Sequence, residues 1–164
     1  KVRKYIENLV PRLRPTHAVL AIPADASNLN NDFGVNYLVE EGIIGKSVKY
    51  INNNQAVPAH GLDSKEADVG SFLCFVQHVQ YQLSNEMVYL SDFQGAGDLL
   101  TDCQVITDSD FMNNFGEGNC TTSFKNFPSE HQCNDFCCAF GLQPLVPAIP
   151  VLSTEMLDRD AGCY

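Results

Sequence analysis

The longest hydrophobic pattern in the chain lies between residues 64 and 83, where apolar side chains recur at helical spacing. Its apolar members are Val69, Phe72, Leu73, Val76, Val79 and Leu83. Asp63 and Glu66 fit a capping box at the start of this pattern. The sequence therefore predicts an amphipathic helix over 64–83.

Other apolar runs are short and predict strands, which lie at 17–22, 35–40, 47–51, 87–90 and 104–107. A second amphipathic pattern at the start of the chain predicts a short helix that ends at Pro11. Residues 108–122 show no apolar period and are expected to be irregular. Another short helix is expected from Cys133 to the glycine at 141.

Composition supports a single folded domain. The chain has 164 residues, of which 45% are hydrophobic, and a formal net charge of −10. This charge, without a basic stripe, argues against nucleic acid as a partner and is compatible with a basic protein substrate. No apolar stretch approaches the length needed to cross a membrane, so no membrane partner is expected.

The chain has seven cysteines, an odd number without framework spacing, and no visible signal peptide. An extracellular disulfide scaffold is therefore disfavoured. Retained thiols suit the reducing cytosol, which predicts a cytoplasmic protein.

Four side chains have the residue types of a zinc site. Cys133 and Cys137 are expected four residues apart on one helical face, with His131 just before its first turn. A closed tetrahedral site needs a fourth ligand, and His78 on the predicted long helix is the best candidate. Disulfides among the cysteines, or buried free thiols, are the alternatives.

A second cluster is acidic. The predicted strand at 87–90 leads into Asp92 and Gln94, and a glycine-bearing loop returns the chain to Asp102. A hairpin of this kind brings three oxygen-bearing side chains to one point, and Mg²⁺ prefers such hard ligands. A solvated acidic loop is the alternative interpretation.

Taken in order, these motifs resemble those of the alpha-kinases, a family of atypical protein kinases. The matching segments are 39–45, 48–50, 52–54, 92–95, 100–102, 115–119, 131–134 and Cys137. The resemblance implies an α+β fold, kinase-like and two-lobed with a structural zinc. It further implies a serine/threonine protein kinase that uses ATP and Mg²⁺.

The resemblance also implies individual roles. Asp92 matches the catalytic aspartate, and Gln94 and Asp102 match the magnesium ligands. Glu40 matches a hinge acid beside the adenine and ribose, and Lys49 matches a lysine near the nucleotide pocket. An exposed strand-edge pair is the alternative for these last two. The implied zinc ligands are His78, His131, Cys133 and Cys137.

Departures from the family pattern accompany the matches. Cys103 follows Asp102 where the family usually has proline, and Cys120 begins a segment where the family continues with glycines. The family's phosphate-binding lysine is expected upstream of Lys1, which fits a fragment. An incomplete alpha-kinase domain is thus expected over 1–143, with a small lobe at 1–62, a zinc-containing large lobe at 63–143 and a proline-rich acidic tail at 144–164. A zinc-stabilised module without turnover is the alternative function.

Overall fold

The structure is a computed structural model that describes residues 10–22, 36–115 and 119–145. The predicted N-terminal helix, the glycines of 116–118 and nearly all of the predicted tail lie outside these residues. The fold class is α+β, as the sequence predicts.

The central helix, α1, spans Ser64–Leu83, which confirms the predicted bounds. The Asp63 carboxylate accepts a hydrogen bond from the Glu66 amide at 2.9 Å, and the Glu66 carboxylate accepts one from the Asp63 amide at 2.9 Å. This reciprocal pair satisfies two donors that an open helix end leaves unpaired. The helix buries one face, which includes Leu73, Gln77, His78 and Tyr81.

The described residues form eight short strands. They are β1 (Arg14–Pro15), β2 (Ala18–Ala21), β3 (Tyr37–Glu40), β4 (Val48–Lys49), β5 (Val88–Ser91), β6 (Gln94–Ala96), β7 (Leu99–Thr101) and β8 (Gln104–Thr107). Strands β1, β7, β6 and β4 form one sheet in that order, and β5 pairs antiparallel with β8. Every predicted strand is present, but each of those at 17–22, 35–40 and 47–51 is shorter than its apolar run.

Strands β2 and β3 form a separate antiparallel ribbon, the β2–β3 ribbon. Cross-strand partners share a face, so the pair Val19 and Val39 lies on one face and the pair Leu20 and Leu38 on the other. These four side chains are 50% to 66% exposed. Within the described residues, the ribbon therefore presents apolar side chains on both faces.

The segment 108–122, predicted to be irregular, contains helical structure at 109–114 and from 121 onward. A 3-10 helix spans Ser109–Asn114, and a second α-helix, α2, spans Thr121–Glu130 with Pro128 inside it. The prediction missed α2 because only Phe124 and Phe127 mark its buried face. These two aromatic rings pack with Tyr81 and Tyr89 in a core between α1, α2 and the β5–β8 pair.

The last helix, α3, spans Asp135–Ala139 and is shorter than predicted. The Asn134 side chain caps it by accepting hydrogen bonds from the amides of Phe136 at 3.0 Å and Cys137 at 3.3 Å. Cys133 therefore precedes the helix, and the predicted placement of both cysteines on one helical face is wrong. Gly141 ends the segment with φ +70°, a conformation that glycine adopts without steric cost.

Within the described residues, no helix is both long enough and apolar enough to cross a membrane.

Candidate functional site

The acidic cluster forms where β5 ends and the β6–β7 hairpin begins. Asp92 follows β5, Gln94 opens β6, and Asp102 directly follows β7. Between the first two, Phe93 is only 3% exposed and packs into the core under α1. The structure thus brings together the three side chains that the sequence predicts to converge.

Hydrogen bonds join the cluster. The Gln94 amide nitrogen donates to the Asp102 carboxylate at 2.6 Å. Strand β4 pairs with β6, opposite Gln94, and this register brings Lys49 to the cluster. The Lys49 ammonium lies 2.5 Å from the Asp92 carboxylate and donates to the Gln94 amide oxygen at 3.3 Å. The Gln94 amide therefore bridges Lys49 and Asp102, while Asp92 pairs directly with Lys49.

Both aspartates have left-handed backbones, with φ 58° at Asp92 and φ 55° at Asp102. Residues other than glycine rarely adopt this backbone conformation, although aspartate tolerates it better than most. Such residues concentrate at functional sites, where the surrounding structure holds them in place. The sequence alone gives no signal for this feature.

Gly95 allows the two hairpin strands to approach. A Cβ atom built there would lie 1.9 Å from the carbonyl oxygen of Leu99, closer than any real contact. Only glycine fits this position, so the Gly95 of the acidic motif has a steric role in bringing Gln94 and Asp102 together.

Glu40 lies at the exposed end of β3, where its carboxylate accepts a hydrogen bond from the Thr101 hydroxyl at 3.5 Å. Thr101 immediately precedes Asp102, so Glu40 borders the acidic cluster. Its neighbour Glu41 binds Arg14 through two hydrogen bonds of 2.7 Å each. These bonds, with the His17 amide, lower the pKa of Glu41 to about 2. No local sequence pattern predicts this ion pair, whose partners are 27 residues apart.

Cys103 is half-buried beside the cluster. Burial, followed by the charges of Asp102 and Asp92, raises the pKa of this thiol to about 11. The thiolate is the nucleophilic form of cysteine, so Cys103 is protonated and unreactive at neutral pH.

The four predicted zinc ligands also converge. The ligand atoms of His78, His131, Cys133 and Cys137 all lie within 4.8 Å of one another. The Cys133 sulfur is 3.8 Å from His78 Nδ1, and the Cys137 sulfur is 3.7 Å from His131 Nε2. Zinc bond lengths at a tetrahedral angle place sulfur and nitrogen ligands about 3.6 Å apart. The arrangement therefore fits a four-coordinate zinc ion.

Three helices supply this centre. His78 lies on α1, His131 caps the C-terminal end of α2, Cys137 lies on α3, and Cys133 comes from the linker between the last two. The missed helix α2 thus positions one of the predicted ligands. The thiols of Cys133 and Cys137 are both free, which fits the metal interpretation and not the disulfide alternative for these two.

Burial prepares the imidazoles of the centre for metal binding. It lowers the pKa of His131 to about 4, with a further contribution from the His78 ring, and it lowers the pKa of His78 against an opposing effect of the Gln143 backbone. Neutral imidazole is the form that binds metal. Burial also raises the pKa of the Cys137 thiol to about 11, so metal binding would release its proton.

Asn119 closes the loop that follows β8. Its side-chain oxygen accepts a hydrogen bond from the Thr107 amide at 2.9 Å, and its side-chain nitrogen donates to the Thr107 hydroxyl at 2.9 Å. The two ends of the intervening segment are thus held together by one side chain.

Three similar proteins each match about two thirds of the chain. Alpha-protein kinase 2 of Mus musculus is 34% identical over 109 residues, which are 65% of this chain and 5% of that protein. Myosin heavy chain kinase C of Dictyostelium discoideum is 33% identical over 107 residues, 65% of this chain and 12% of that protein. Eukaryotic elongation factor 2 kinase of Homo sapiens is 30% identical over 107 residues, which are 65% of this chain and 14% of that protein. The chain therefore spans only a small part of each relative.

Solved structures share the fold. The AMP complex of the alpha-kinase domain of myosin heavy chain kinase A has a TM-score of 0.56 and 26% identity, covering 86% of this chain and 53% of that one. An ATP complex of an inactive form of that domain has a TM-score of 0.59 and 23% identity, with coverage of 86% and 53%. The second likeness shows the fold alone.

A sequence profile described as the Alpha-kinase family matches residues 4–137. That match includes both clusters of predicted site residues. The chain belongs to the alpha-kinase family.

Proposed function

We propose that this chain carries the nucleotide and catalytic site of an alpha-kinase that transfers the γ-phosphate of ATP to serine or threonine hydroxyls of proteins. The observation that carries the proposal is the convergence of Lys49, Asp92, Gln94 and Asp102 where β5 ends and the β6–β7 hairpin begins. Phosphoryl transfer asks mainly for positioning and charge neutralisation, and this cluster supplies groups for both.

Asp92 is proposed to orient the substrate hydroxyl and accept its proton. Its side chain lies within contact distance of the Lys49 ammonium, which would hold the carboxylate in place and also face the phosphates of the nucleotide. The unshared side of the carboxylate is then available to the hydroxyl.

Gln94 and Asp102 are proposed to hold Mg²⁺, which would neutralise charge on the phosphates. Their carboxylate and amide oxygens suit this ion, so the donor set fits. In the structure the Gln94 amide nitrogen faces Asp102 and its oxygen faces Lys49. Joint binding of one ion would therefore require the Gln94 amide to turn over.

Glu40 is proposed to contact the adenine and ribose side of ATP. Its hydrogen bond to Thr101 places it at the border of the cluster, and Glu41 beside it is already paired with Arg14. Glu40 is thus the acid of this pair that remains available for a ligand. The AMP complex of the similar myosin heavy chain kinase A domain supports an adenine-nucleotide site in this fold.

Zinc is proposed as a structural ion at His78, His131, Cys133 and Cys137. It would join three helices around the core and would contribute its binding energy to folding. The protein substrate is proposed to be basic, because the chain carries a net charge of −10. An intracellular location is proposed because five of the six described cysteines are free thiols.

A module without turnover is the second candidate. The segment from Cys120 to Ser123 favours it, because side chains there replace the glycines with which the family continues. Nucleotide binding and phosphoryl transfer separate the two functions, so both must be measured.

The test is calorimetric titration of Mg-ATP into the zinc-loaded chain, with transfer of labelled γ-phosphate to an array of serine and threonine peptides. Asp102→Asn should abolish Mg-dependent binding without unfolding the protein. Asp98→Asn is the matched control, because this exposed carboxylate lies on the same hairpin away from the cluster. It should bind Mg-ATP like the parent.

A form of the chain preceded by the corresponding segment of another alpha-kinase domain tests the expectation of an upstream phosphate-binding lysine. Binding by the longer form alone would show that the site needs that segment. Binding without transfer in either form would support the module, and no binding by either would refute the nucleotide site.

A further inference from the structure

Asp92 occupies a strained backbone conformation that its neighbours must maintain. Its φ of 58° is left-handed, and the residue is only 8% exposed. The two flanking residues, Ser91 and Phe93, are 0% and 3% exposed. The groups that hold these two neighbours therefore decide where the Asp92 carboxylate points.

On the C-terminal side, the segment after β4 holds Phe93. Its carbonyl oxygen accepts hydrogen bonds from the amides of Tyr50 at 2.8 Å and Ile51 at 3.2 Å. That segment directly follows Lys49, the ion-pair partner of Asp92. One side of the strained residue is thus fixed by backbone.

On the N-terminal side, the holding group is a side chain from α1. The Gln77 amide nitrogen donates to the Leu90 carbonyl oxygen at 3.0 Å and to the Ser91 hydroxyl oxygen at 3.1 Å. The Ser91 hydroxyl in turn donates to the Asn52 carbonyl oxygen at 3.1 Å. A carbonyl only accepts, so these contacts fix the orientation of the Gln77 amide.

Gln77 is 0% exposed, which is unusual for a polar side chain, so its two donated hydrogen bonds are shielded from bulk solvent. Its amide oxygen has no hydrogen-bond partner among the described residues. Gln77 also immediately precedes His78, one of the metal-site residues. The helix position that orients Gln77 is thus fixed one residue away by the metal-site cluster.

We infer that Gln77 is a positioning residue for the phosphoryl-transfer reaction, because it links helix α1 through Ser91 to the backbone of Asp92 and to the segment that carries Lys49. This role rests on the proposed function of Asp92. Gln77 touches neither substrate nor the reacting atoms and acts only through its hydrogen bonds. Without the Gln77 hydrogen bonds, the backbone at Ser91 becomes more mobile. The Asp92 carboxylate then adopts orientations that do not align it with the substrate hydroxyl.

The test compares two variants of the same residue type on the same helix. Gln77→Met keeps the length of the side chain but removes both donated hydrogen bonds. Gln80→Met is the matched control, since the Gln80 oxygen accepts from the Leu90 amide at 2.9 Å and has no bond to Ser91. Both proteins are assayed at full zinc occupancy, with zinc measured directly because His78 adjoins the substitution.

Gln77→Met should lower kcat about 10- to 100-fold, the usual loss for a displacement of about 1 Å, while KM for ATP stays within about twofold. Gln80→Met should leave kcat unchanged, even if its melting temperature falls as much as that of Gln77→Met. Ser91→Ala removes the next member of the chain of hydrogen bonds and should reproduce the loss of kcat. A merely structural role would lower both melting temperatures and leave kcat per folded molecule unchanged, and that result would overturn the inference.

A second readout needs no catalysis. Amide hydrogen exchange at Tyr50 and Ile51 reports on their bonds to Phe93. Exchange there should accelerate about tenfold or more in Gln77→Met relative to Gln80→Met, and equal rates would overturn the inference. If the parent protein transfers no phosphate, the proposed function fails and the exchange rates alone decide the role of Gln77.

Discussion

Replacement of Gly95 by alanine should damage both the stability and the nucleotide site of this protein. The new Cβ would start 1.9 Å from the Leu99 carbonyl oxygen, and ordinary contact begins at 3.4 Å. The two hairpin strands must therefore separate locally by about 1.5 Å. The obstacle is backbone on the facing strand, so no side chain can rotate to relieve it.

That displacement has two consequences. It lengthens the hydrogen bond between Gln94 and Asp102, now 2.6 Å, beyond the range of a hydrogen bond. It also breaks neighbouring ladder bonds of the hairpin, each worth about 1 kcal/mol, in addition to about 1–3 kcal/mol of overpacking. We expect a loss of roughly 3–5 kcal/mol in the free energy of unfolding.

Two further glycines supply graded controls. A Cβ at Gly42 has nothing within 4 Å and no positive φ, so Gly42→Ala should change stability by about 0.5 kcal/mol or less. A Cβ at Gly97 also has open space, but its φ of +61° should cost about 1–2 kcal/mol. The series separates steric clash from backbone strain.

Urea unfolding followed by circular dichroism measures the series, because the chain has no tryptophan for fluorescence. Calorimetric titration with Mg-ATP then tests the site, where Gly95→Ala should bind weakly and Gly42→Ala normally. If Gly95→Ala were within about 1 kcal/mol of Gly42→Ala and bound Mg-ATP equally well, the close approach of the two strands would be wrong.

Three other predictions follow from the packing and the thiols. Cys133→Ser should lose stoichiometric zinc by mass spectrometry together with its cooperative thermal transition, and a variant that kept both would contradict the structural role of zinc. Phe127→Ala should cost about 3–5 kcal/mol in urea unfolding, because the ring is 0% exposed and stacks 4.1 Å from a tyrosine, whereas exposed Phe111→Ala should cost about 0.5 kcal/mol or less. Iodoacetamide at neutral pH should label Cys120 before Cys103. Hydrogen bonds from a serine hydroxyl and backbone amides lower the pKa of Cys120, whereas burial raises the pKa of Cys103 to about 11. The reverse order of labelling would refute this assignment of the two environments.

The sequence predicts those parts of the fold in which local signals agree. Helix α1 has a sustained apolar period and a capping box, and its bounds match the prediction. Helix α2 has only two buried aromatics as an apolar signal and contains Pro128, so tertiary packing of Phe124 and Phe127 decides its structure. Local pattern could not reveal it.

The candidate site shows the same division. Residue type and spacing are sufficient to find the metal-site cluster and the acidic cluster, because both are encoded by side chains with specific chemistry. The Gln77 hydrogen bonds join residues 13 and 14 positions apart, and the Lys49–Asp92 contact joins residues 43 positions apart. These contacts depend on how the strands are aligned with one another. The left-handed aspartates depend on the same register, which no local pattern specifies.

The β2–β3 ribbon has a consequence for the behaviour of the purified protein. A two-stranded ribbon is marginally stable alone, and within the described residues these strands pair only with each other, so their outer edges carry unpaired backbone groups. Apolar faces beside open edges form a template for intermolecular strand pairing and cross-β aggregation. Leu20→Lys would place a charge on this exposed edge strand, away from both clusters of functional side chains. It should raise the highest concentration at which the protein stays monodisperse.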